Sequence, residues 1–174
     1  MEYIRGRRRE SMHDLAFIKT IAGVVNHMHT FTRDLPGLVN GGIYCGPLWP
    51  EDDRTPLLTK EGFEHRMNAG LTESFGKFAV ATTPLVFTHC DISARNLLFD
   101  DYSIWLLDWE FAGYFPRSAE IATLRLDVGK ECANLDFYRD LEYAILEEKP
   151  LAPQESEQLE CWREFVLNHV RAYR

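Results

Sequence analysis

Nowhere in the 174 residues does an apolar run extend far enough to cross a bilayer. The opening Met1-Glu2-Tyr3-Ile4-Arg5-Gly6-Arg7-Arg8-Arg9 has behind it no apolar stretch of the kind that marks an export signal. No membrane partner is therefore expected. Cysteine is scarce: Cys45, Cys90, Cys132 and Cys161 make no CxxC and no Cys/His cluster, which speaks against a disulfide framework and against a zinc site. A reducing, cytoplasmic setting is the natural expectation. Positive charge is also short, with 19 Lys and Arg against 27 Asp and Glu, a net charge of −8. That balance disfavours a polyanion-binding surface, so no nucleic acid is expected, and it suits a cationic small substrate or a divalent metal. The arginines at 5, 7, 8 and 9 then read as a solvated face.

What is present is ample apolar and aromatic content for one packed domain. From Ser11 to about Phe31, Leu15, Ile18, Ile21, Ala22, Val25 and Met28 recur at helical spacing, with Ser11 or Asp14 as N-cap. Between Arg33 and Pro56 a scatter of Gly and Pro breaks every period, as in a long loop that lies over a pocket. Helices are expected over Lys60–Leu71 and Ser74–Ala81, the second stopped by Pro84. The texture then turns strand-like at Leu85–Thr88, Asn96–Phe99 and Ile104–Leu107, the last two forming a hairpin around Asp100-Asp101-Tyr102-Ser103. Three helices close the chain, at Ser118–Lys130, Leu135–Lys149 and Gln154–Tyr173. The fold class is α+β, mostly helical, with a small β-hairpin near its middle.

The segment His89-Cys90-Asp91-Ile92-Ser93-Ala94-Arg95-Asn96 contains H-x-D-x-x-x-x-N, and an apolar strand beyond the hairpin ends in Asp108. Phosphoryl transfer uses this set of groups. One carboxylate takes the acceptor hydroxyl's proton, while an amide oxygen and a second carboxylate supply hard oxygens to magnesium. Asp91 and Asn96 share one short loop, and the hairpin returns Asp108 to the same end.

With Leu107-Asp108-Trp109-Glu110-Phe111-Ala112-Gly113, the segment resembles the aminoglycoside phosphotransferase and choline kinase superfamily, in particular its fungal-type phosphotransferase enzyme family. The resemblance implies a protein-kinase-like C-terminal lobe over 1–174 whose hairpin carries the catalytic loop. In it Asp91 is the catalytic base, His89 braces the loop, and Asn96 and Asp108 hold magnesium. Trp109 and Glu110 take the places of Phe and Gly in the protein-kinase Asp-Phe-Gly motif. Met1, Glu2, Tyr3 and Ile4 resemble the hinge that offers backbone groups to the adenine of ATP. Cys90 stands where the family usually has Gly, and Ala94 where it often has Pro. No Gly-rich loop and no strand-borne Lys stand ahead of the long helix, so the ATP-clamping N-terminal lobe is expected to be absent and ATP to bind poorly.

Three functions follow from these residues: an ATP- and magnesium-dependent kinase acting on a small-molecule hydroxyl or the truncated substrate lobe of one, a silent pseudokinase-like ligand- or protein-binding module, or a pocket reused for nucleotide-independent acid/base chemistry through Asp91 or His89. A homo-oligomer formed through the face left by the missing lobe is a further expectation. Bland readings stand beside the sharp ones. His27 and His29 suit a helix end better than a metal. Cys90 beside a carboxylate makes a poor nucleophile. Trp105, Trp109, Phe111, Tyr114 and Phe115 read more readily as core than as a ligand pocket, and Glu110, Glu120 and Asp127 more readily as solvated carboxylates than as contacts to a cationic substrate.

Overall fold

A computed structural model describes residues 14–39, 41, 46–49, 59–72, 76–100, 103–127 and 135–172. Helix α1 spans Leu15–Met28, and the Asp14 carboxylate caps it by accepting from the N–H groups of Ala16 and Phe17. Its buried face of Ile18, Ile21, Ala22 and Val25 is the apolar stripe of the sequence, and it packs on α4, Leu135–Glu148. Asn26 ties the pair by donating to the Ile145 carbonyl and to Glu148.

A four-stranded antiparallel sheet follows, in the order β1 (Thr32–Arg33), β3 (Leu85–Thr88), β6 (Gly113–Pro116), β2 (Gly37–Leu38). The Gly- and Pro-rich stretch expected as a loop thus lends β2 and the last residue of β1 to this sheet. Gly113 sits where the strands approach most closely: a Cβ there would lie 2.6 Å from the Gly37 carbonyl oxygen and 2.5 Å from the Phe115 ring. Strands β4 (Leu97–Phe99) and β5 (Ile104–Leu106) form a separate antiparallel hairpin, as the sequence led us to expect.

Helix α2, Lys60–Ala69, is capped by the Thr59 hydroxyl. No helix covers Gly76–Val80, contrary to the expectation for Ser74–Ala81. The backbone bonds of that stretch go to side chains of α2 and α5 instead. Asn68 accepts from the Phe78 N–H and donates to the Phe78 carbonyl, and Glu64 accepts from the Val80 N–H. Tertiary partners thereby override a local preference.

Helix α3, Arg117–Asp127, starts directly from Pro116, and α5, Pro153–Ala172, from Pro153. They pack together, and Trp162 of α5 enters an aromatic cluster with Trp49, Phe63, Phe78 and Phe165. Arg117 locks the start of α3 to the α4–α5 connection, donating to Glu155 and to the carbonyls of Lys149 and Pro150. Among the described residues no helix is long and apolar enough to cross a membrane.

Candidate active site

The end of β3 delivers residues 89–96, which close on a 3-10 turn, Ala94–Asn96, before β4 begins. His89 is buried, and its two ring nitrogens have different duties. Nδ1 accepts the Asp91 N–H at 3.2 Å, so Nε2 carries the proton and donates to the Leu107 carbonyl at 3.0 Å. Burial pushes the His89 imidazole below its ordinary pKa against the opposing pull of Glu120, the Leu107 carbonyl, Asp91 and Asp108, which keeps the ring neutral in that bonding pattern. His89 holds the loop to the strand that leads into Asp108, as a brace does.

Asp91 is buried, with both carboxylate oxygens engaged. Asn96 Nδ2 donates to Oδ2 at 2.8 Å and to the Asp91 carbonyl at 3.0 Å, and Arg95 Nη2 donates to Oδ1 at 2.6 Å. The Asn96 carbonyl in turn accepts the Leu107 N–H at 2.8 Å. Leu107 is thus bonded on one side to His89 and on the other to Asn96, and Asp108 follows it directly. Asp108 is exposed and adopts φ +63°, a left-handed conformation that a non-glycine residue rarely takes without a local reason.

Magnesium asks for hard oxygen donors, and the residues here fit it. Asn96 spends its amide nitrogen on Asp91, which leaves the side-chain oxygen to face elsewhere, and Asp108 offers an exposed carboxylate on the neighbouring backbone. Met1, Glu2, Tyr3 and Ile4, expected to meet adenine, lie outside the described residues.

Glu120 is the residue that sequence reasoning missed. Read as a solvated carboxylate, it is instead completely buried on α3, where Oε2 accepts the His89 N–H at 2.6 Å and Oε1 the Cys90 N–H at 2.9 Å. Burial pushes its pKa up, but His29, His89 and the His89 N–H outweigh that and hold the carboxyl below its ordinary value. His29, at the end of α1, is buried with Nε2 3.9 Å from Glu120, whereas His27 lies exposed in the last helical turn. The backbone accommodates the double bond to Glu120 by a left-handed turn at Cys90, φ +60°. Burial, and then Glu120, push the Cys90 thiol well above its ordinary pKa, so it stays protonated and donates to the Thr88 hydroxyl at 3.3 Å.

The aromatic residues divide. Phe115 is core, while Trp105, Phe111 and Tyr114 are half-buried. Trp109 is exposed rather than core, and it follows the left-handed turn at Asp108. It lies flat on Phe87 with 5.8 Å between ring centroids and meets the His89 ring edge-on at 4.7 Å.

The family model described as the phosphotransferase enzyme family fits residues 1–141. No curated protein and no solved structure matches the chain.

Proposed function

We propose that this chain, which belongs to the phosphotransferase enzyme family, moves the terminal phosphoryl group of ATP to a hydroxyl of a small molecule, using a kinase-like lobe in which residues 89–96 are the catalytic loop. The observation that carries this reading is the loop itself: Asp91 and Asn96 bonded at 2.8 Å, with Asp108 brought beside them through Leu107. Asp91 and Asn96 are bonded to each other, Asp108 follows the Leu107 that Asn96 and His89 hold, and the loop is braced from behind by Glu120.

In this reading Asp91 accepts the proton as the acceptor oxygen bonds to phosphorus and the bond to the departing ADP oxygen breaks. Asn96 and the His89 brace fix the backbone of the loop and one carboxylate oxygen of Asp91 before substrate arrives. Magnesium, when bound, neutralises phosphate charge, and Asn96 and Asp108 would hold it. The net charge of −8 favours a cationic acceptor.

Incubation with ATP, magnesium and a panel of small alcohols, amino alcohols and polyamino sugars tests the proposal, with phosphorus NMR as the readout. With ATP supplied in large excess to offset weak binding, a new phosphate ester that forms only with magnesium and the chain present is expected. A panel in which ATP is untouched, or is turned over without magnesium, would overturn it.

A further inference from the structure

Asp91 presents no open face. Its side chain is 3% exposed, with Oδ1 held by Arg95 and Oδ2 by Asn96. A base must lend one of those oxygens to the incoming hydroxyl, so one of the two caps has to leave. Asn96 is poorly placed to do so: it is buried, its amide also holds the Asp91 carbonyl, its N–H bonds to Ser93 and its carbonyl to Leu107. Arg95 differs. It stands four residues after Asp91 in the 3-10 turn, and its side chain is 45% exposed.

A guanidinium binds a tetrahedral oxyanion through two parallel N–H bonds, which a single carboxylate oxygen cannot match. Stripping Arg95 from Asp91 in favour of water alone would leave a buried carboxylate short of a charged partner, which is unfavourable. The exchange becomes favourable when an anion takes the arginine, and Asp91 is then open to water or to an acceptor hydroxyl.

We propose that Arg95 is a latch on Asp91, released by a phosphate-type oxyanion, which in the working site is the phosphoryl group to be transferred. The base is then uncovered only when there is something to transfer, and the released guanidinium positions that group. The inference rests on the reading of Asp91 as the base, and it makes Arg95 a positioning residue.

The test reads the carboxylate directly. The folded chain is treated with a water-soluble carbodiimide and an amine, and peptide mass spectrometry follows labelling at Asp91 and, as an internal control, at Glu120. Arg95→Ala and Arg95→Gln are each expected to speed Asp91 labelling roughly tenfold, as befits loss of a charged hydrogen bond, with Glu120 unchanged. Inorganic sulfate, a tetrahedral dianion that carbodiimide does not consume, is expected to speed Asp91 labelling in the unsubstituted chain but not in the variants. Chloride at equal ionic strength should not. Unchanged labelling in both variants overturns the latch. So does a parallel rise at Glu120, which would make Arg95 a structural pin of the loop, and so does an equal response to chloride. Labelling needs no turnover, so these failures are distinct from a failure of phosphoryl transfer.

Discussion

Glu120 Oε2 accepts the backbone N–H of His89 at 2.6 Å across 31 residues of sequence, from the first turns of α3 to the end of β3. Through this bond and its twin to Cys90, a helix of the core sets the backbone path of the loop that bears Asp91. Glu120→Gln keeps the shape but turns an amide donor toward backbone donors. It is expected to cost about 2–4 kcal/mol in chemical denaturation, as for a broken buried network. A loss below about 1 kcal/mol would mean that the loop holds its path without the carboxylate.

Gly113 allows β6 to lie against β2. Gly113→Ala puts a Cβ 2.6 Å from the Gly37 carbonyl oxygen, a backbone atom that cannot swing aside. Destabilisation of about 2 kcal/mol or more is expected, measured as a drop in denaturation midpoint. A midpoint equal to that of the unsubstituted chain would show that the strands separate freely.

Cys90 carries a left-handed backbone without being glycine. Cys90→Gly relieves roughly 1 kcal/mol of that strain while losing a buried thiol, so stability is expected to stay within about 1 kcal/mol of the starting chain. Cys90→Val adds a β-branch at positive φ and is expected to cost about 2 kcal/mol or more. Equal effects of the two substitutions would contradict a backbone origin.

These residues also show where sequence reading succeeds and where it stops. The apolar stripe and Asp14 cap of α1 follow from local spacing, and so do β3 and the β4–β5 hairpin. His89, Asp91, Asn96 and Asp108 were legible because one short motif and one strand end carry them. Arg95 had a faint signal in its spacing of four from Asp91. Glu120 had none: on an isolated helix it resembles any solvated carboxylate, and only the packing of α3 beneath β3 reveals its two backbone partners. The missing helix at Gly76–Val80 has the same origin, since Asn68 and Glu64 claim backbone groups that a helix would have used.

His89 makes stability depend on pH with a definite sign. Its folded pKa lies below the ordinary 6.5, so between those two values the unfolded chain binds the extra proton. The contribution of the neutral ring is present above 6.5 and is lost as pH falls toward the lowered folded value. Denaturation curves between about pH 7.5 and pH 5 are expected to show declining stability, with a shallower decline in His89→Asn. An identical slope in the two chains would remove His89 as the cause.

The reading of residues 89–96 as a phosphotransferase loop turns on one carboxylate. Asp91→Asn leaves the shape of the side chain and removes the group that takes the proton. With Mg-ATP and an acceptor that the unsubstituted chain phosphorylates, the substitution is expected to lower the rate of ester formation by about 10² to 10⁴, with little change in acceptor KM. A rate within about threefold of the unsubstituted chain, in a variant that denatures at the same midpoint, would contradict the central claim.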